Sequence, residues 1–276
     1  MPTHSSRLNP PLKWAGGKRW LVPQLTELFA QESPNRLVEP FCGGLAVALG
    51  LSPQNALLND SNPHVINFYR QLAQGLSLDI EARNESELYY RHRSRFNALI
   101  SDGQAHSSEA AQLFYYLNRT GFNGLCRFNK SGHFNVPFGR YKAINYTPDF
   151  SPFVEQFKHW DFSNGDFSQL QIQNGDLIYA DPPYDVEFTQ YSAGGFSWED
   201  QERLIEWLAQ HEGPIILSNQ STPRIRDLYQ NAGYHILELD APRRISCTGN
   251  RTPAREVLAT RNLQKSYEEH DHGKGI

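Results

Sequence analysis

Residues 36–51 read RLVEPFCGGLAVALGL. Arg36 to Pro40 is a short apolar run between polar neighbours and predicts a buried strand. Phe41-Cys42-Gly43-Gly44 supplies a turn of small residues, and the apolar Leu45 to Leu51 predicts a helix. Strand, glycine turn and helix in that order form a unit in which a nucleotide-like ligand can approach the backbone closely. The run is not GxGxxG, and a merely close-packed turn reads equally well from it alone. Working outward, Asn55 to Asp60 (NALLND) predicts a second strand that ends in an acid. Asp176 to Ala180 (DLIYA) predicts a third. Pro214 to Ser218 (PIILS) predicts a fourth, with a helical stretch at Glu199 to Gln210 before it. Short apolar strands alternating with helices imply an α/β fold, with a largely parallel sheet covered on both faces.

This rhythm stops between Ser61 and about Pro148. That stretch is rich in Tyr, Phe, Arg and Asn, with helical patches at 85–100 and 108–117, and reads as an inserted, mainly helical domain. The expected organisation is one domain from residues 1–60 and 148–276 and a second from 61–147. The 276-residue chain is long enough for this. Its net charge is −4, yet residues 83–142 hold nine basic residues against four acidic ones, a local +5. A basic insert in an acidic chain suits either a nucleic-acid footprint or a solvated helix face. Hydrophobic residues make up 39% and no apolar run approaches the roughly 18 residues of a membrane span. The polar start, Met1 to Arg7, lacks the apolar stretch of a signal peptide. Cys42, Cys126 and Cys247 are odd in number and widely spaced, with neither zinc spacing nor a disulfide framework. The expected setting is cytoplasmic, without a membrane. The tail after Ser266 is polar and expected to fray.

Asp181-Pro182-Pro183-Tyr184 is the most specific chemical signal. Two prolines remove two backbone donors and fix φ, so the turn is rigid and its carbonyls are expected to point outward. An acid, free carbonyls and an aromatic ring then gather at the carboxyl end of a strand, where α/β proteins hold ligands. Acceptors of this kind suit an exocyclic amino group, and the ring suits a flat base. Asp60 ends its strand about twenty residues after the glycine turn, placed either to accept from both hydroxyls of a ribose or to cap the next helix.

Nearly the whole chain resembles the Dam-type DNA adenine methyltransferases. The runs that carry the likeness are Leu12-Lys13-Trp14-Ala15-Gly16-Gly17-Lys18, Glu39 to Leu49, Asn118 to Arg127 (NRTGFNGLCR), Phe134 to Tyr141 (FNVPFGRY) and Asp181 to Tyr184, with Ser218-Asn219 and Arg243 to Ser246 also matching. The resemblance implies a Rossmann-like S-adenosylmethionine-dependent methyltransferase core carrying the insert as a DNA-recognition domain. S-adenosylmethionine is then the cofactor, S-adenosylhomocysteine the product, and no metal is required. The partner is double-stranded DNA, bound by a monomer, in a bacterial nucleoid or, for a phage-encoded enzyme, the host cytoplasm. Carried over by residue, Trp14, Lys18, Glu39, Phe41, Gly43, Asp60, Asp166, Phe167 and Asp181 surround the cofactor. Asp181, Pro182 and Tyr184 hold a flipped adenine. Lys13, Asn123, Leu125, Arg127 and Pro137 read GATC, Arg119 grips phosphate, and Phe122 wedges into the base stack. For Leu125 and Pro137 ordinary packing is the alternative, and for Lys13 and Arg127 it is phosphate contact. Two positions depart from the family pattern: Leu45 stands where many members have Gly, and Phe122 where the bacterial enzymes have Tyr. A restriction-pair methylase with a different insert, an RNA or protein-glutamine methyltransferase and an inactive DNA-binding regulator are the competing readings. The run at 123–127, the Lys13–Lys18 run and the intact Asp60, Asp181 and Tyr184 count against them respectively.

Overall fold

A computed structural model describes residues 8–147, 149–184, 196–242 and 254–264. Arg243 to Ser246, Cys247 and the tail after Ser266 therefore lie outside the described residues. In chain order the elements are α1 (Val22–Glu32), β1 (Arg36–Glu39), α2 (Ala46–Leu51), β2 (Ala56–Asp60), α3 (Pro63–Ala73), α4 (Ser86–Ser101), α5 (Ser108–Thr120), α6 (Ser151–Gln156), β3 (Trp160–Asn164), β4 (Asp176–Ala180), α7 (Trp198–Ala209), β5 (Ile215–Gln220), α8 (Pro223–Asn231), β6 (His235–Ala241) and β7 (Ala254–Arg261). The strands form one seven-stranded sheet in the order β3-β2-β1-β4-β5-β7-β6. All neighbours run parallel except β7, which is antiparallel to both β5 and β6.

Strand alternation explains the two-sided core. Leu37, Leu177, Tyr179, Ile216 and Leu258 belong to one hydrophobic cluster, while Val38, Ile178, Ala180, Ile215, Leu217, Val257 and Ala259 belong to the other. Successive side chains point to opposite faces, so an unbroken apolar run serves both. Helices α1, α2, α3 and α6 cover the first face, and α7 and α8 the second. The result is the doubly wound, Rossmann-like α/β architecture expected from the sequence.

Four of the seven strands match the sequence-based expectation, and β3, β6 and β7 were not foreseen. For β3 and β6 position and composition explain this. β3 (WDFSN) and β6 (HILELDA) lie at the two sheet edges and carry polar residues on their solvent side. Among the described residues of 61–147 no strand joins the sheet. Helix α5 (SEAAQLFYYLNRT) is capped by Ser107, whose hydroxyl accepts from the Ala110 amide at 3.1 Å, and is buried on nearly every side. Its aromatic side chains weld it to the sheet side. Tyr115 stacks on Phe68 of α3 at 5.6 Å and meets Phe150 edge-on at 5.1 Å. Helix α3 thus packs on both β2–β3 and α5, and a single hydrophobic cluster runs from the sheet into α4 and α5.

Candidate active site

The sheet order places the reversal of winding between β1 and β4. A crevice opens there beyond the carboxyl ends of the strands, the position at which open α/β sheets bind ligands. Two segments meet at it: Glu39 to Leu45 leaving β1, and Asp181 to Tyr184 leaving β4.

The first segment is shaped around Trp14. A Cβ on Gly43 would fall 2.6 Å from the indole Nε1, and one on Gly44 would fall 2.6 Å from the Trp14 Cβ. Gly43 has φ +45°, in the left-handed region that favours glycine. Its amide donates to Asp60 Oδ2 at 3.0 Å, and its carbonyl accepts from the Tyr69 hydroxyl at 2.6 Å. Leu45, the N-cap residue just before α2, is also left-handed, at φ 60°, and fully buried. This is one of the two positions at which the sequence departs from the expected family pattern. Here burial of the leucine side chain offsets the conformational cost, about 1–2 kcal/mol.

Asp60 receives the Asn62 amide on Oδ1 at 2.8 Å as well as Gly43 on Oδ2, leaving acceptor capacity on both oxygens. It does not cap α3; Asn62 does, accepting from the His64 and Val65 amides. Burial pushes the Asp60 carboxyl above its ordinary range, opposed by those backbone bonds. Glu39 is buried deeper, and its Oε1 has no hydrogen-bond partner. Burial, and then the Asp181 charge, push it well above the usual range, opposed by a bond from the Ala48 amide.

In the second segment Asp181 is about one-fifth exposed and faces Lys18. Lys18 Nζ lies 2.8 Å from Asp181 Oδ1 and 2.9 Å from Oδ2, and donates to the Tyr184 hydroxyl at 2.8 Å. Ser218 Oγ donates to Asp181 Oδ1 at 2.9 Å and is itself 2.8 Å from the Tyr179 hydroxyl. The Tyr184 hydroxyl donates to Glu256 on β7. The expectation that both proline carbonyls face outward needs correcting. The Pro183 carbonyl accepts from Gln201 Nε2 at 2.9 Å, and Gln201 Oε1 accepts from Asn219. Residues of α7 and β5 therefore brace the turn from behind.

The remaining predicted cofactor residues gather on the other face of the β1 loop. Phe41 packs on Phe167 at 5.6 Å, and Phe167 is itself nearly fully buried. Arg203 forks onto Asp166 at 2.8 and 2.9 Å, which holds that carboxyl well below the usual range.

The predicted DNA-facing residues form one loop cluster at the end of α5. Phe122 is 47% exposed, and its amide donates to the Pro137 carbonyl at 2.9 Å. Asn123 is left-handed at φ 54°, and Leu125 packs partly against the core. Arg127 is exposed, and its Nε donates to Asn135 Oδ1 at 2.8 Å. Lys13 exchanges two bonds between its backbone and the Asn118 side chain, at 2.8 and 2.9 Å. Its Nζ donates to the Arg119 carbonyl at 2.6 Å and sits 3.6 Å over the Tyr141 ring. Burial, and then Arg119, lower the Lys13 pKa to about 8. Arg119 itself donates to the Asn145 carbonyl at 2.9 Å.

Sequence reasoning assigned no role to Glu256, Arg203, Gln201 or Asn118. Asn118 stands inside a quoted motif and could have been found there. The others lie on elements with no motif of their own.

Comparison with known proteins agrees with this geometry. Residues 14–245 match the family described as D12 class N6 adenine-specific DNA methyltransferase. The chain is 36% identical over 264 residues to the Retron Ec67 DNA adenine methylase of Escherichia coli, covering 90% of each. It is 36% identical to the Type II methyltransferase M1.LlaDCHI of Lactococcus lactis subsp. cremoris, covering 84% of this chain and 88% of that one. It is 34% identical to the DNA adenine methylase of Escherichia coli strain K12, covering 90% and 93%. With its acidic, doubly proline-locked turn at the crevice of a Rossmann-like sheet, this chain belongs to the D12 class of N6 adenine-specific DNA methyltransferases.

Proposed function

We propose that this enzyme methylates N6 of the adenine in GATC, using S-adenosylmethionine and acting as a monomer. The observation that carries the site is the meeting of Asp181-Pro182-Pro183-Tyr184 with the Trp14–Gly43–Asp60 cradle at one crevice. The residues fit the cofactor: Glu39 holds a buried, unpartnered oxygen, and Asp60 keeps spare acceptor capacity beside the Gly43 turn. Trp14, Lys18, Glu39, Phe41, Gly43, Asp60, Asp166, Phe167 and Asp181 would hold it. Bound there, it supplies a sulfonium methyl as electrophile.

The chain's own residues do the rest. An adenine amino nitrogen is a weak nucleophile because its lone pair is shared with the ring. The Asp181 carboxylate and the Pro182 carbonyl accept its two N–H bonds and return electron density to nitrogen. Positive character developing on nitrogen meets acceptors already in place. The Tyr184 ring fixes the plane of the base and so the line of attack. Once the new N–C bond has formed, the surplus proton on nitrogen lies against Asp181, which can take it.

The target must leave the duplex, at a cost of a few kcal/mol. Phe122, apolar and half exposed, offsets part of this by stacking in the gap. Lys13, Asn123, Leu125, Arg127 and Pro137 read base edges, and Arg119 holds phosphate. Residues 61–147 act as the recognition unit on a core of 1–60 and 148–276, with α3 as the shared helix. The choice of GATC rests on the likeness of 118–127 and 134–141 to Dam-type enzymes.

Methylome sequencing of a methylation-free host expressing the chain tests the proposal, with modified adenine expected in GATC and nowhere else. The Asp181→Ala variant should leave the host unmethylated while still binding DNA. The similarity to a Type II methyltransferase favours one alternative, a restriction-pair methylase, which a different modified motif would establish.

A further inference from the structure

Lys18 is almost fully buried and lies between two carboxylates, Asp181 just past β4 and Glu256 on β7. Asp181 approaches it at 2.8 Å and Glu256 Oε2 at 3.6 Å. Glu256 has no part in the mechanism above, yet one of its oxygens accepts from the Tyr184 hydroxyl. Its other oxygen, Oε2, is buried and makes no hydrogen bond among the described residues, with the Lys18 ammonium 3.6 Å away. A buried carboxylate left in that state is costly unless its charge is needed.

The charge balance shows what it does. Lys18 and Asp181 alone would form a neutral pair, and a neutral pair attracts a nitrogen that is becoming positive only weakly. With Glu256 the trio carries one net negative charge, in a largely buried site where water screens it weakly. We propose that Glu256 is a positioning residue for methyl transfer: it adds a second carboxylate beside the Lys18–Asp181 pair and anchors the Tyr184 hydroxyl, so that the cluster keeps one net negative charge facing the target amine. This rests on the reading of Asp181 and Tyr184 given above. Burial raises the Glu256 carboxyl above its usual range and Lys18 opposes the rise, in keeping with a charge held by its partner.

Two substitutions separate charge from shape. Glu256→Gln keeps the length of the side chain and an oxygen for Tyr184 but removes the charge. Glu256→Asp keeps the charge and shortens the side chain by one methylene. Steady-state tritium transfer to duplex DNA should show kcat lowered on the order of tenfold or more for Glu256→Gln. Its KM for DNA and for S-adenosylmethionine should stay within about twofold, because the interaction strengthens only in the transition state. Glu256→Asp should retain most of the wild-type kcat. The reverse order, with Gln tolerated and Asp impaired, would show that Glu256 only fills space. Equal loss in both variants, or a loss confined to KM, would also overturn the proposal. If Glu256→Gln does not fold, a folded Glu256→Asp variant that has lost kcat decides against it. Failure of the wild-type enzyme to methylate adenine would instead sink the functional reading itself.

Discussion

Gly43→Ala should damage both stability and cofactor binding, and the structure sets the size of the effect. The substitution places a methyl group 2.6 Å from Trp14 Nε1, 3.0 Å from Cε2 and 3.2 Å from Cδ1. The indole cannot simply swing clear, because Lys13 is tied to Asn118 on one side and Lys18 to Asp181 on the other. The left-handed backbone at φ +45° adds roughly 1–2 kcal/mol for any residue with a Cβ. Relief by moving the loop would stretch the Gly43–Asp60 and Tyr69–Gly43 bonds, each worth about 1 kcal/mol net. The total is about 2–4 kcal/mol, or a fall in Tm of roughly 3–7 °C at this chain length. Thermal unfolding with and without S-adenosylmethionine measures it, and the stabilisation by cofactor should shrink as well. Trp14→Leu provides the internal control. In that background the clash is gone and only the backbone penalty remains, so Gly43→Ala should cost about half as much. An unchanged Tm and cofactor affinity, or the same cost in both backgrounds, would refute the claim that this glycine exists to seat Trp14.

Asp60→Ala should weaken S-adenosylmethionine binding by about 1.5–3 kcal/mol, the range for hydrogen bonds to a charged group; calorimetry giving an unchanged Kd would confine Asp60 to bracing the loop. Arg127→Ala should relax preference at one guanine about 10- to 100-fold, whereas Arg119→Ala should weaken all sequences alike and flatten the salt dependence by about one unit of slope. Methylation rates on single-base variants of GATC separate the two, and a uniform loss for Arg127→Ala would make it a phosphate clamp. Lys13 should make DNA binding pH-dependent. Its pKa of about 8 lies below the ordinary 10.5, so the charge is present at pH 7 and largely lost at pH 9. The salt slope should fall by roughly one unit over that interval, and Lys13→Met should remove the change. The same lowered pKa means that folding binds this proton less tightly than the unfolded chain does. The Lys13 contribution to stability should therefore rise from about pH 8 towards 10.5.

How much of this was legible beforehand depended on how local the signal was. β1, β2, β4 and β5 are short apolar strands near the sheet centre, and their burial wrote itself into composition. β3 and β6 sit at the edges, where half of each strand faces water and the apolar run breaks up. The turn at Asp181 was readable because two adjacent prolines constrain the backbone whatever surrounds them. What braces it was not. Gln201 and Glu256 reach it from 18 and 72 residues away, and nothing in their own neighbourhoods marks them, while Ser218 stood in a matching run without an assigned role. Asp60 shows the limit of spacing arguments, since capping and ligand binding predict the same acid. Coordinates were needed to see that Asn62 caps α3.

The doubled bond between Asn118 and the Lys13 backbone has a mechanical consequence. Lys13 is fastened to the end of α5, beside the loop that carries Phe122 and Arg127, while Lys18 is fastened to Asp181. Only five residue steps separate the two anchors, a tether of at most about 17 Å when fully extended. The indole packed on the Gly43-Gly44 turn hangs from this tether one residue past Lys13. Any shift of the Phe122–Arg127 loop large enough to draw Lys13 along is passed to the Gly43-Gly44 turn and to Asp181 through one short piece of chain, with little slack to absorb it.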